Sequence, residues 1–312
     1  DRYLQKLTYG NSDYVQYAYD EYGRVVRETF EDGDTVTYAY DNSGALATVT
    51  DSATGRKTTY YYDLTDRLAK YVESGPGYSH SVSYTFDTQN NLTEQVESVN
   101  GTKHTTTYAY DLDNRIVSVD TDGIIYNVSY DSYGRVEQTV TNNVITETYV
   151  YRSSFADVSQ KNIQYGNYTL SNNYAYDDNG NIANTDFQGV QYKYGYDSEN
   201  QLIREDNQAE GRSWMWDYDD SGNILSRTEY LYTTGILRDP IDVVEYVYGN
   251  ESWGDLLTSY DGKAITYDSI GNPLTYGNIT YTWEHGRELA SLSDGTTTWT
   301  YTYDANGMRT SR

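Results

Sequence analysis

The chain has 312 residues, a formal net charge of −25 and no cysteine. A field of that sign repels phosphate backbones, so no nucleic-acid partner is expected; missing thiols exclude disulfides, thiolate metal sites and a cysteine nucleophile. No run of about 18 apolar residues is present to form a membrane-spanning helix, and the opening Asp1-Arg2-Tyr3-Leu4 has no signal-peptide character, as if cut from a longer protein.

From the N-terminus, Tyr17 and Tyr19 alternate into Asp20, and Gly23, Arg24 and Val25 follow. The order returns at Tyr38, Tyr40 and Asp41 with Gly44 and Leu46, and at Tyr60, Tyr62 and Asp63 with Asp66, Arg67 and Leu68. It continues through Tyr84, Phe86 and Asp87, then Tyr108, Tyr110 and Asp111 with Arg115, then Tyr130 and Asp131 with Gly134, Arg135 and Val136. At Tyr151-Arg152-Ser153-Ser154-Phe155 the Asp and Gly are lost, so an irregular loop is expected near 151–165. The series resumes at Tyr174, Tyr176 and Asp177 with Gly180 and Ile182, at Tyr196 and Asp197 with Asn200 and Leu202, and at Trp216, Tyr218 and Asp219 with Gly222 and Ile224. Spacing stretches across 228–257, which contains Asp239-Pro240 and is expected to be irregular. Tyr267-Asp268 with Gly271, the shortened copy Trp283-Glu284-His285-Gly286-Arg287, and Tyr303-Asp304 with Gly307 close the chain.

The aromatic-Asp pair sets the register, so the test lies in the other positions. The third residue after Asp is Gly, Asn or Asp in all eleven copies, the residues that tolerate positive φ. The fifth is aliphatic except at Pro273 and Arg309. An Asp that accepts from nearby backbone N–H groups, a type I turn and a left-handed fourth residue give a hairpin with a G1 bulge. Period-2 alternation of Tyr, Thr and Val before each turn predicts strands. A second kind of turn falls between the copies, at Asp32-Gly33, Asn100-Gly101, Asp122-Gly123, Asn142-Asn143, Gln188-Gly189, Glu210-Gly211 and Asp294-Gly295. Leu, Ile, Val and Phe together fall under the roughly 20% level associated with disorder; the 39 tyrosines must replace the missing aliphatic area.

The unit Tyr-Asp-x-x-Gly-Arg-Val, as in Tyr19–Val25 and Tyr130–Val136, resembles the YD repeat of the Rhs family, and Trp253–Tyr276 resembles repeats near the end of Rhs proteins of Gram-positive bacteria. The resemblance covers the whole chain. It implies kinship with bacterial Rhs toxins, the C component of Tc toxins and the teneurin shell, in which a ribbon of strands spirals into a hollow shell, commonly around a C-terminal payload. The family's core segment with Asp-Pro-x-Gly self-cleavage chemistry is not among these residues, and Asp239-Pro240 continues as Ile241-Asp242, so autoproteolysis is not carried over.

The expected fold is all-β: one repeat array over 1–312, a long antiparallel hairpin meander of on the order of 26 strands. Open sheets rarely exceed roughly ten strands without curling, so the ribbon is expected to bend into a hollow, shell-like spiral with unpaired edges at both ends. The motif residues are read as structural turn residues; no catalytic, cofactor or metal site is expected. His80, His104 and His285 are isolated and read as solvated surface residues. Motif arginines are expected to pair with a neighbouring Asp. The function expected is a non-enzymatic shell segment, secreted or at the cell surface, whose partners are the rest of its shell and a C-terminal payload polypeptide. A second reading is an adhesion module that binds glycan or a surface protein through exposed aromatics.

Overall fold

The motif turns share one closure in the computed structural model, which describes residues 3–152, 156–305 and 307–311. In the first copy the Gly23 N–H donates to the Asp20 carbonyl (3.1 Å) and the Asp20 N–H to the Arg24 carbonyl (3.0 Å). Gly23 is left-handed (φ 79°), and so are its ten counterparts, among them Asp66 (60°), Asn114 (60°), Gly180 (88°) and Asn200 (63°). The turn therefore selects a backbone conformation rather than one residue type, and short polar side chains satisfy it where glycine is missing.

These turns connect strands throughout. The first ten are β1 (Lys6–Thr8), β2 (Tyr14–Tyr19), β3 (Val25–Phe30), β4 (Thr35–Tyr40), β5 (Leu46–Asp51), β6 (Lys57–Tyr62), β7 (Leu68–Gly75), β8 (Tyr78–Phe86), β9 (Leu92–Val99) and β10 (Thr102–Tyr110). Next come β11 (Ile116–Thr121), β12 (Ile124–Tyr130), β13 (Val136–Thr141), β14 (Ile145–Tyr151), β15 (Val158–Tyr165), β16 (Tyr168–Tyr176), β17 (Ile182–Phe187), β18 (Val190–Tyr196), β19 (Leu202–Asn207) and β20 (Arg212–Tyr218). The last are β21 (Ile224–Leu231), β22 (Asp242–Val247), β23 (Ser259–Tyr260), β24 (Lys263–Tyr267), β25 (Pro273–Tyr276), β26 (Ile279–Glu284), β27 (Glu288–Ser293), β28 (Thr298–Thr300), β29 (Thr302–Tyr303) and β30 (Arg309–Ser311). Twenty-eight are joined in one antiparallel meander, β29 and β30 form a two-stranded sheet, and no helix occurs among the described residues. The count of thirty among the described residues exceeds the sequence-based figure, and β1, β23, β28, β29 and β30 are only two or three residues long.

Register repeats with the motif. Tyr19 faces Val25, Tyr40 faces Leu46, Tyr196 faces Leu202 and Tyr218 faces Ile224, each with a bulge immediately before the Tyr. Pro273 and Arg309 hold the same place opposite Tyr267 and Tyr303 although neither is aliphatic. The tyrosines two residues earlier meet mixed partners: Tyr38 faces Val49, but Tyr17 faces Glu28 and Tyr194 faces Glu205.

The chain divides into two compact units. One comprises residues 1–107 and 264–312, and here the two ends of the chain meet. Asn11 Nδ2 donates to Asp268 Oδ2 (3.4 Å), and the Gly286 N–H donates to Asp13 Oδ2 (3.1 Å), contacts spanning 257 and 273 residues. The His285 ring stacks on Phe30 (4.1 Å between centroids). A Cβ on Gly286 would lie 2.9 Å from the Tyr9 ring, and one on Gly10 3.0 Å from Ile270 Cγ2. The motif turns at Asp268 and His285 thus sit against the opposite turn margin of the first strands. Val15, Val36, Val49 and Val82 are the buried apolar side chains of this unit.

The other unit, Tyr108–Lys263, is a meander in which β11 to β23 pair consecutively. Two sequence-based boundaries shift here. Residues 158–165 form the regular strand β15, because Tyr151 keeps the motif register by facing Val158. Ser153, Ser154 and Phe155 lie outside the described residues, as do Asp1 and Arg312, where the sheet edges were placed. Within 228–257, Thr228–Leu231 complete β21 and Asp242–Val247 form β22. Loop 232–241 folds back: Arg204 Nη2 donates to the Thr233 and Gly235 carbonyls (2.8 and 2.9 Å), and the fully buried Ser213 hydroxyl donates to Thr233 (3.2 Å).

Candidate functional site

The feature that recurs with chemistry attached is the motif turn. Asp Oδ1 accepts two backbone N–H groups: Tyr22 and Arg24 on Asp20 (2.9 and 3.0 Å), Asp113 and Arg115 on Asp111 (both 2.9 Å), Tyr133 and Arg135 on Asp131 (2.8 and 3.0 Å). Asp41, Asp63, Asp87, Asp177, Asp197, Asp219 and Asp268 do the same. Asp304 accepts from the Met308 N–H (3.0 Å). Oδ2 takes a side chain from the fourth residue on, through Arg Nε at Arg24, Arg67, Arg115 and Arg135 (2.7–2.8 Å). Asn Nδ2 replaces it at Asn91, Asn181, Asn223 and Asn272 (2.8–3.1 Å). The Arg115 backbone N–H and then its guanidinium hold the Asp111 carboxyl below the ordinary carboxylate range; the Asn223 side chain leads the same effect at Asp219. Lowering the pKa of a carboxyl in this way makes its carboxylate a weaker proton acceptor.

The aromatic residue ties one repeat to the one before it. The Tyr19 hydroxyl donates to the Leu4 carbonyl (2.7 Å), Tyr40 to Val25 (2.8 Å), Tyr62 to Leu46 (2.9 Å) and Tyr130 to Ile116 (2.7 Å). Tyr151 donates to Val136 (2.7 Å), Tyr176 to Val158 (2.8 Å), Tyr196 to Ile182 (3.0 Å), Tyr218 to Leu202 (2.8 Å) and Tyr303 to Leu289 (3.2 Å). Trp283 Nε1 makes the same bond to Pro273 (2.7 Å). Burial, with the Asp197 carboxylate adding to it, pushes the Tyr218 hydroxyl up, so it stays a donor. A hydroxyl carried on a largely covered ring needs a partner, and in each of these repeats a backbone carbonyl supplies it. The legible signal was the preference for Tyr over Phe before Asp. Tyr151 and Trp283 are full members of this ladder although their copies lack the motif Asp.

The motif Arg adds a second inter-repeat contact. Its guanidinium pairs with its own Asp, as in Arg24–Asp20 and Arg135–Asp131 (2.7 and 2.6 Å), and also covers the next repeat's ring. Arg24 lies over Tyr40 (4.2 Å), Arg67 over Phe86 (4.6 Å), Arg115 over Tyr130 (4.5 Å) and Arg135 over Tyr151 (4.3 Å); Arg152, which stands where the motif Asp would be and pairs with Asp157 (3.5 Å), lies over Tyr176 (5.2 Å). A guanidinium between a carboxylate and a π face is doubly favoured.

His285 is not a solvated singleton. Its Nδ1 lies 3.1 Å from Glu288 Oε2 and its Nε2 3.2 Å from Asp32 Oδ2. The Glu288 hydrogen bond first, and Asp32 with it, raise its pKa to about 9 against the cost of burial. His80 sits 2.8 Å from Glu97 and edge-on to Tyr71. Among the described residues no group of three or more His, Asp or Glu is arranged to hold a metal ion. Among the described residues no helix is long and apolar enough to cross a membrane.

Residues 19–54 match the family model described as RHS Repeat. No curated protein matches the chain. Among solved structures it is similar to TcdB2-TccC3 without its hypervariable C-terminal region, at TM-score 0.68 and 14% identity over 97% of this chain and 19% of that one. It is also similar to the Tc holotoxin pore of Photorhabdus luminescens, at TM-score 0.56 and 14% identity over 95% of this chain and 20% of that one. The chain thus spans about a fifth of the length of those it resembles.

Proposed function

We propose that this chain, whose repeats are those of the Rhs/YD family, is one continuous stretch of shell wall that encloses a polypeptide payload and performs no catalysis itself. The observation that carries the reading is the meeting of first and last strands in one unit, held by Asn11–Asp268, Asp13–Gly286 and Asp32–His285. A strand ribbon whose later motif turns sit on the opposite margin of its earliest strands is built to wind in layers. The ladder of Tyr-to-carbonyl bonds gives such a wall cohesion without a deep core, which suits a thin sheet better than a solid globule. The likeness in fold to TccC-containing structures supports the same reading. On this proposal the other partners are the rest of the shell and a C-terminal payload, and the protein works outside the cell or on its surface. No nucleic acid, cofactor or membrane span enters it.

Protease protection tests it. In the full-length parent protein, a segment C-terminal to the repeats should survive a protease dose that digests the same segment expressed alone. Digestion at the same rate in both settings would reject enclosure.

A second reading, adhesion to glycan or a surface protein, draws on Tyr22, Tyr133 and Tyr168, which are 73%, 75% and 76% exposed. Loss of a glycan-array signal on replacing these three with Ser would favour it; an array without signal for the unmodified chain would count against it.

A further inference from the structure

We infer that an apolar stripe across β12 to β17, in the Tyr108–Lys263 unit, is a docking surface for a second copy of this chain. Cross-strand register lays its residues side by side. Tyr126 faces Thr141, Thr141 faces Ile145, Ile145 faces Tyr165 and Tyr165 faces Tyr168, so five strands present these side chains on one side of the sheet. The two-residue period of a strand adds Ile124 and Leu170 to that side, and Phe187 joins it opposite Asn172.

Every apolar member of the stripe is exposed, from 38% at Ile145 to 76% at Tyr168. Leu64 and Leu112 are more exposed still, but each is a single residue within a motif turn, and isolated apolar residues on a surface are ordinary. The stripe is set apart by its continuity over neighbouring strands. The same strand position is covered elsewhere: four residues before the motif aromatic, Val15, Val36 and Val82 are each 4% exposed, against 39% for Tyr126.

Area, charge and symmetry select the occupant. With full side-chain areas of roughly 150–250 Å², these exposures leave on the order of 700 Å² uncovered, above the roughly 300–600 Å² of a typical monomer's largest patch and close to the ~800 Å² that each partner of a specific interface buries. The stripe is also nearly free of charge. In a chain of net charge −25, the bordering turns Asp122-Gly123, Asn142-Asn143, Gly166-Asn167 and Gln188-Gly189 hold one carboxylate. The next charges inward, Glu147 and Lys161, neutralise each other (3.1 Å). Depletion of charge together with tyrosine and phenylalanine is the composition of an interface core. A partner recognised by charge would need groups that this margin lacks. A row that is apolar along its length is its own complement, so a two-fold axis brings the same residues of two copies together, as two sheets packed face to face about 10 Å apart. Such docking is independent of whether the chain encloses a payload.

The test is sedimentation velocity of the whole chain over a dilution series spanning the micromolar range. A monomer–dimer equilibrium is expected, and it should tighten as added salt screens the repulsion between two chains of charge −25. The double substitution Tyr165→Ser with Tyr168→Ser should raise the dissociation constant at least about tenfold, with circular dichroism unchanged. Ile125→Ser, on the opposite side of β12, should leave the constant as it is. A chain that stays monomeric would overturn the proposal and give the stripe to a different polypeptide. A dimer that survives the double substitution would place the contact at a strand edge instead, and one that weakens with salt would be held by charge; either result overturns the proposal too.

Discussion

Replacing Tyr218 with Phe removes one oxygen and leaves the ring in place, so it isolates the inter-repeat bond to the Leu202 carbonyl (2.8 Å) from everything else the residue does. A net intramolecular hydrogen bond contributes about 1 kcal/mol, and the abandoned carbonyl sits at a partly solvated margin, which caps the extra penalty. In a repeat array the loss stays local, because each unit contacts only its neighbours. Amides of β19 and β20 should therefore exchange about fivefold faster in native-state hydrogen exchange, the factor that about 1 kcal/mol represents. Tyr61→Phe is the control, since Tyr61 is 51% exposed and lies outside the ladder. The converse change is available in the same molecule. Phe86 occupies the ladder position without a hydroxyl, and Phe86→Tyr should slow exchange in β7 and β8 by gaining a bond to the Leu68 carbonyl. Equal exchange in Tyr218→Phe and Tyr61→Phe would mean that the hydroxyl-to-carbonyl bond adds no cohesion between repeats.

Three further outcomes follow from the same geometry. The folded-state pKa of His285 is raised from 6.5 to about 9, so its contribution is complete below pH 6.5 and lost as pH climbs through 9; thermal melts should fall across that window and His285→Gln should flatten the fall. Nine motif carboxyls are held low, among them Asp63, Asp111 and Asp219, so the stability they lend is present above their unfolded values and lost as acid protonates them in the folded state; acid melts of Asp111→Asn should show a shallower decline below about pH 4. Gly180→Ala meets no atom within 4 Å yet must hold φ near +88°, so about 1–2 kcal/mol of backbone strain is expected in urea denaturation, with Gly180→Asn costing less.

The turns were legible because their chemistry is local. Asp at one position and a positive-φ residue three later fix the hairpin, and the chain satisfies that rule at all eleven copies, with Asp66, Asn90, Asn114 and Asn200 standing in for glycine. The strands followed from period 2. The ladder bond was less visible, since nothing in the sequence states that the Tyr40 hydroxyl reaches back 15 residues to Val25. Only the preference for Tyr over Phe hinted at it. The role of His285 was hidden altogether, because its partner Asp32 lies 253 residues away and no periodicity links them. Loop 232–241 was hidden for a similar reason: Arg204 and Ser213, which hold it, read as ordinary strand residues.

The ribbon comes back upon its own beginning, and the absence of cysteine from the chain makes that directly measurable. Gly10 and Ile270 approach closely enough that a Cβ on the glycine would lie 3.0 Å from the isoleucine side chain. The doubly substituted chain, Gly10→Cys with Ile270→Cys, should form an intramolecular disulfide under mild oxidation at high dilution, seen as a faster band in non-reducing electrophoresis, while each single substitution gives none. A double variant that stays reduced, or links only between molecules, would contradict the account.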